Sequence, residues 1–111
     1  MRLSKEEECV LINAREMSLL WSILADWTNS EDEQIWGEVA PMFAEIVRRW
    51  EAAGYIQVYQ GEEWPAHEGG TQVTGEKLQD LLRDPSTWQY HEGPPVSTLL
   101  PTEKSLELTA P

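Results

Sequence analysis

The stretch FAEIVRRWEAAGYI, which runs from Phe43 to Ile56, decides the fold. Its apolar residues recur at the three- and four-residue steps of one helical face, and that pattern continues to Ala53. Gly54 follows as the kind of residue that commonly ends a helix in the left-handed conformation. Over residues 55–60 apolar and polar side chains alternate, which is typical of a strand. The sequence therefore predicts a helix that leads directly into a strand.

Capping signals place further helices before this stretch. Ser4 and Glu7 have the spacing of a capping box, in which each side chain bonds a backbone amide of the first turn. The apolar pattern that follows predicts either one helix over residues 4–27 or two short helices broken near residues 16–18, with Ser18 as the cap of the second. Both alternatives are compatible with the pattern.

A proline interrupts the helical stripe that leads to Ala53. Ser30 and Glu33 repeat the capping-box spacing and predict where this stripe begins. Because proline removes a backbone donor and clashes with the preceding turn, we expect a break or kink just before Pro41. Pro41 would then stand in the first turn of a fresh helix.

The second half of the chain is predicted as a small antiparallel sheet with an inserted helix. After the strand over residues 55–60, the predicted elements are a polar loop over 61–70, a short helix capped by Thr74 and stopped at Asp84-Pro85, strands over 88–91 and 96–100, and a last helical turn capped by Thr102. The fold class is therefore α+β, with three or more N-terminal helices followed by the sheet. We expect a single domain over residues 1–111, because a chain of this length is too short for two cores.

Three segments resemble proteins of the winged-helix superfamily. Residues 43–56 are similar to the third helix and following strand of that superfamily, and residues 100–108 look like the end of a wing strand entering a capped helix. Residues 73–88 are similar to an insertion within the wing of small, uncharacterised bacterial winged-helix-like proteins. The resemblance covers roughly residues 4–109. It implies a bacterial winged-helix-like (helix-turn-helix) domain with a wing region at about residues 55–102.

The charge balance restricts the class of partner. Eight Lys and Arg stand against twenty Asp and Glu, so the formal net charge is −12. Affinity for DNA or RNA rests largely on neutralising phosphates with Lys and Arg, and an acidic chain is therefore disfavoured as a nucleic-acid binder. Anionic membrane surfaces are disfavoured for the same reason. A basic protein partner is compatible with this charge.

Arg48 and Arg49 form the only adjacent basic pair. A DNA-binding winged helix would carry positive residues on its third helix and its wing, and here residues 31–53 hold six acidic residues against these two arginines. The pair is therefore a candidate DNA contact only in the alternative function. The other interpretation is two exposed cations near a helix C-terminus, where they complement the helix dipole.

Tryptophans provide the candidate partner contact. Three of the six lie on apolar helical stripes and are predicted in the core: Trp21, Trp36 and Trp50. Trp64 stands beside Glu62 and Glu63 in the polar loop, and Trp88 follows a proline that ends a helix. Exposed indoles are common anchors of protein interfaces. The candidate contact for a partner therefore consists of Glu62, Glu63, Trp64 and Trp88. The alternative is that an indole such as Trp64 folds back over the sheet.

Signals for catalysis and metal binding are weak. Cys9 lies in an apolar helical segment, where a buried, unreactive thiol is the common outcome, and as the only cysteine it excludes an internal disulfide. His67 and His91 stand in polar loop contexts without the spacing of a metal motif. We therefore expect no enzyme activity, no cofactor and no metal.

These observations predict a non-catalytic protein-interaction module on an acidic winged-helix-like scaffold. The alternative is a transcription regulator that binds DNA as a dimer or with a partner subunit, which would supply the missing positive charge. A homodimer through the first helix is a further hypothesis. The start of the chain turns acidic at once, and the longest apolar stretch, around residues 19–25, is too short to span a bilayer. We therefore expect a cytoplasmic protein.

Overall fold

Four α-helices and a three-stranded antiparallel sheet build the fold of residues 2–108, which are the residues that the computed structural model describes. The elements are α1 (Lys5–Arg15), α2 (Leu20–Thr28), α3 (Glu33–Ala53), β1 (Ile56–Gly61), β2 (Thr71–Val73), α4 (Gly75–Arg83), a 3-10 helix (Pro85–Trp88), β3 (Val96–Pro101) and a last 3-10 helix (Glu103–Glu107). The α+β class is confirmed, and the order of helices before sheet is consistent with a winged-helix-like layout. Met1 and residues 109–111 of the predicted domain lie outside the described residues.

The N-terminal segment forms two helices rather than one. The Ser4–Glu7 capping box is confirmed, with the Glu7 amide donating to Ser4 Oγ over 3.1 Å and the Ser4 amide donating to Glu7 Oε1 over 2.9 Å. The chain leaves α1 at Met17, whose φ of 56° is left-handed. It then runs beside β3, where the Leu99 amide donates to the carbonyl of Ser18 over 3.0 Å. This pairing separates α1 from α2.

Two of the predicted helix caps are wrong. Leu19, not Ser18, stands at the N-cap of α2, and it makes no side-chain capping bond. Leu19 instead forms an isolated β-bridge with Thr98 of β3, so tertiary pairing sets the start of this helix. At α3 the cap is Asp32, whose side chain accepts from the Gln34 amide over 2.9 Å.

Of the break or kink predicted before Pro41, the break is wrong, because α3 continues through the proline, and the kink stays a prediction. The backbone bond that Pro41 cannot donate would have gone to the carbonyl of Gly37, one turn earlier. Both residues are exposed, so water can reach the carbonyl that lacks its helical partner. Burial of the apolar stripe on both sides of the proline keeps the helix in one piece. Gly54 ends α3 as predicted, with φ of 86°.

The sheet has the order β2-β1-β3, with both pairs antiparallel. β1 and β3 agree with the predicted strands to within a residue or so at each end, while β2 was missed because it is short and lies between a polar loop and a helix. The strand predicted over residues 88–91 does not form. Pro85 and the Asp84 cap instead wind Pro85–Trp88 into a 3-10 helix, residues 89–91 continue without regular structure, and β2 and β3 occupy the two edges of β1.

The core lies between the helices and one face of the sheet. α3 contributes the largest buried stripe: Trp36, Ala40, Phe43, Ile46, Val47 and Trp50. Helices α1, α2 and α4 and strand β1 pack against this helix. Of the three tryptophans predicted in the core, Trp36 and Trp50 are buried there, and Trp21 is partly buried and stacks on Trp36 with ring centroids 5.7 Å apart.

Gly37 gives a direct test of the helix that runs through Pro41. A Cβ at this position would meet no atom within 4 Å, and the backbone is helical. We expect Gly37→Ala to raise the free energy of unfolding by about 0.5–1 kcal/mol, because alanine loses less conformational entropy than glycine in a helix. Urea titration monitored by circular dichroism measures the change. A loss of stability would contradict an unstrained helical backbone with open space for a Cβ at residue 37, one turn before Pro41.

Candidate functional site

Trp64 projects from the loop between β1 and β2. Its side chain is 54% exposed, although its indole N–H donates to the carbonyl of Met17 over 2.7 Å. The sequence allows two alternatives for this residue, an exposed indole and one that folds back over the sheet. The structure combines parts of both, because the indole is hydrogen-bonded to the turn between α1 and α2 and still presents a large apolar surface. A ring fixed in this way loses little conformational entropy when a partner binds to it.

The base of this loop is held by the sheet. The amide of Ala66, which is fully buried, donates to Thr98 Oγ1 over 3.2 Å. Gly70 lies so close to the chain that a Cβ would stand 2.1 Å from the Ala66 carbonyl and 2.6 Å from the Gln60 carbonyl. Only glycine fits this close approach. The position of Trp64 therefore depends on contacts with β1 and β3.

The charge around Trp64 is negative. Glu62, Glu63 and Glu68 are exposed, and none of them forms an ion pair with a described residue. Three carboxylates without a local counter-charge favour the approach of a cationic surface. The structure thus places Glu62, Glu63 and Trp64 of the predicted contact on one exposed loop.

Trp88, the fourth residue of the predicted contact, is not exposed. Its side chain is 4% exposed, and its indole N–H donates to the carbonyl of Leu82 over 2.9 Å. The expectation of an exposed indole at this position is therefore wrong. The 3-10 helix turns the ring inward onto α4, where its apolar area is buried and its N–H has a partner.

The two arginines of the alternative DNA contact are both paired with carboxylates. Arg48 donates twice to Glu45, through Nε over 2.9 Å and through Nη2 over 2.5 Å. This contact lowers the pKa of Glu45 and raises the pKa of Arg48. Arg49 reaches across to Glu7 of α1, with Nη2 2.8 Å from Oε2. The charge of each arginine is thus partly offset by a carboxylate, which weakens its attraction for a phosphate.

A groove that the sequence analysis missed lies between α3 and the segment formed by α4 and the first 3-10 helix. Its volume is about 610 Å³, and its lining is Glu33, Gly37, Ala40, Pro41, Ala44, Glu45, Arg48, Gln79, Leu82, Arg83, Pro85, Trp88 and Gln89. The small residues at three- and four-residue steps along α3 were the available signal. They could not be interpreted without knowing that α4 packs beside them.

The acidic cluster at residues 31–33 has a structural role. Asp32 caps α3, and Glu33 Oε1 accepts from the backbone amide of Tyr90 over 2.9 Å. Carboxylates in the first turn also interact favourably with the helix dipole. Glu33 therefore tethers the segment after the 3-10 helix to the start of α3.

The Cys9 thiol is buried in the interface between α1 and α2. Its Sγ lies 3.8 Å from Oδ2 of Asp26, which also accepts from Asn13 Nδ2 over 3.0 Å. Burial, with a smaller contribution from the nearby Asp26 charge, raises the pKa of Cys9 to about 11. Because the thiolate is the nucleophilic form, this environment suppresses the reactivity of the thiol.

Neither histidine is hydrogen-bonded to Cys9. His67 Nδ1 is buried without a hydrogen-bond partner, and its ring lies edge-on to Tyr59. His91 is exposed, with Nε2 2.7 Å from the carbonyl of Pro95. Within residues 2–108, no three His, Cys, Asp or Glu side chains are placed to hold a metal ion together.

Comparisons of this chain with protein-family models, with curated proteins and with solved structures gave no match. The helices of residues 2–108 include none that is both long and apolar enough to cross a membrane.

The environment of Cys9 predicts a pH dependence of stability. Since the folded state raises the pKa of the thiol from 9.0 to about 11, it favours the protonated form. The resulting stabilisation is complete below about pH 9 and is lost as the pH rises to about 11. Urea titrations across this range should show a larger loss of stability for the wild type than for Cys9→Ala. An equal loss in both proteins would contradict the assignment.

Proposed function

We propose that this chain is a non-catalytic protein-interaction module that binds a basic protein surface through Glu62, Glu63 and Trp64. The observation that supports it most strongly is the half-exposed, hydrogen-bonded indole of Trp64. Tryptophan is enriched among the residues that dominate interface energies. An anchor that is already held in one orientation by Met17 needs little further ordering on binding.

Electrostatics support a basic partner. The net charge of −12 attracts cationic proteins over long range and speeds their encounter with this chain. The exposed, unpaired carboxylates of Glu62, Glu63 and Glu68 place part of that charge around the anchor. Complementary charge of this kind contributes mainly to specificity and association rate, while the buried area of the indole contributes to affinity.

The non-catalytic part of the proposal rests on the state of the one thiol. Cys9 is buried and remains protonated near neutral pH, since its pKa is about 11. The side chains hydrogen-bonded to it are Asn13 and Asp26. The Asn13 contact lowers the pKa of the thiol, but burial and Asp26 raise it by more, and neither neighbour is a basic group that could activate the thiol.

Trp64→Ala tests the proposal. Wild-type protein is immobilised and exposed to a cell extract, and the proteins retained at low salt are identified and then assayed individually as purified proteins. We expect at least one basic protein whose affinity falls roughly thirtyfold with Trp64→Ala, as for a strong interface anchor, and less with Trp64→Phe. Replacing Glu62 and Glu63 by glutamine should mainly slow association.

Leu106→Ala is the matched control, because Leu106 is 74% exposed and lies in the last 3-10 helix. It removes a similarly exposed apolar side chain and should leave the affinity unchanged. If no retained protein distinguishes Trp64→Ala from Leu106→Ala, the proposed surface is wrong.

The geometry does not favour the alternative of a DNA-binding regulator. Arg48 and Arg49 are both engaged with carboxylates, and α4 packs beside the helix that would enter the major groove. We expect no change in the electrophoretic mobility of random or genomic DNA at low salt, where electrostatic binding is strongest. Retardation that disappears in Arg48→Gln or Arg49→Gln would revive the regulator.

A further inference from the structure

We propose that the groove between α3 and α4 is a binding site for a small amphipathic monocarboxylate, an apolar molecule with one carboxylate at its end. The site is separate from Trp64, which does not line the groove, so this proposal does not depend on the protein-interaction function. Three observations carry it: the size of the groove, its apolar floor and the pairing of its charged side chains.

The groove has the size and lining of a ligand pocket. Its volume of about 610 Å³ lies within the range of about 300–1,000 Å³ that is common for small-molecule sites. Its floor consists of small or apolar side chains from both sides: Gly37, Ala40, Pro41 and Ala44 of α3, with Leu82, Pro85 and Trp88 opposite. An apolar ligand body would gain free energy by covering this surface.

Arg83 is the charged side chain of the groove that lacks a counter-charge. Its Nη2 donates to the neutral oxygen Oε1 of Gln79 over 3.2 Å, and no carboxylate of residues 2–108 lies within 4.0 Å of it. Arg48, in contrast, makes two hydrogen bonds to Glu45. A guanidinium has five donors in a planar fork, so Arg83 can still bind both oxygens of a carboxylate.

The remaining carboxylate of the lining, Glu33, is compensated. It stands in the first turn of α3, where the helix dipole favours negative charge, and it accepts from the amide of Tyr90 over 2.9 Å. The groove therefore combines an apolar floor with one unpaired cation. That combination matches a ligand with one negative charge on an apolar body.

A small ligand fits the charge of the whole chain better than an acidic protein segment does. A net charge of −12 repels an acidic macromolecule at long range. A segment with several carboxylates would also find, among the described residues that line the groove, only Arg83 without a counter-charge. A monocarboxylate needs only that one cation.

Gly37 allows the groove to be closed without disturbing the fold. A Cβ at this position meets no atom within 4 Å, so Gly37→Leu can extend a side chain into the groove from a helical backbone. Leucine also has a higher helix propensity than glycine, so the variant is expected to remain folded.

Titration of the full chain with naphthaleneacetate, followed by backbone amide chemical shifts, tests the site. Naphthaleneacetamide is the neutral control, since it has the same apolar body with a carboxamide. We expect saturable shifts along α3 and α4, with the carboxylate bound roughly tenfold or more tightly than the carboxamide. Arg83→Gln should remove this preference, whereas Arg49→Gln, outside the groove, should retain it. Gly37→Leu should weaken binding of both compounds.

The proposal is overturned if neither compound gives saturable shifts, if the carboxamide binds as tightly as the carboxylate, or if Gly37→Leu leaves the affinity unchanged. Shifts that map to the loop of Trp64 instead of α3 and α4 would also overturn it. None of these results bears on the capture of a protein by the Trp64 loop.

Discussion

Burial of one face of α3 is the constraint on which the rest of the structure depends. The stripe from Trp36 to Trp50 runs along most of this helix, and α1, α2, α4 and β1 each cover part of it. Short amphipathic helices are marginal in water by themselves, so helices α1, α2 and α4 depend on tertiary contacts, and the stripe on α3 is a contact that all three share. Phe43 and Val47, in the middle of the stripe, are completely buried. The packing of α1, α2, α4 and β1 therefore requires a continuous α3.

The end of α3 also positions the sheet. Gly54 turns the chain, and the Tyr55 amide donates to the carbonyl of Trp50 over 2.9 Å, which starts β1 at a defined angle to the helix. Thr102 closes the other side, since its amide donates to the carbonyl of Tyr55 over 3.1 Å. Lys104 then donates to the carbonyl of Ala53 over 2.7 Å, where a cation complements the helix C-terminus. Two chain segments far apart in sequence thus meet at one helix end.

Carboxylates that far outnumber the cations give the surface its negative character. Arg48, Arg49 and Lys104 all contact acceptors within the chain, while most of the twenty acidic residues have no ion-pair partner among residues 2–108. The inserted segment gives the surface a second feature, because α4 and Trp88 lie against α3 and form a groove on it. The first feature is the basis of the contact proposed around Trp64, and the second is the basis of the proposed carboxylate site. They arise from different parts of the chain, and the two proposed sites are correspondingly separate.

Features that depend on a few neighbouring residues could be predicted from the sequence. The Ser4–Glu7 capping box, the left-handed Gly54 and the end of α4 near Asp84 all follow from local hydrogen bonding and backbone sterics. The acidic surface follows from composition, and the polar loop over residues 61–70 was recognisable from its glycine and glutamate content, whereas the sequence leaves the exposure of Trp64 within it open.

Tertiary structure decided what depends on residues distant in the chain. The division between α1 and α2 is set by pairing with β3, so no local pattern near Met17 could distinguish one helix from two. Trp64 and Trp88 have similar local contexts, yet one indole bonds Met17 and remains exposed while the other bonds Leu82 and is buried. The groove requires both α3 and α4, and neither contains it alone. The physical reason is common to all three: burial and pairing are properties of contacts between segments, which local sequence patterns do not specify.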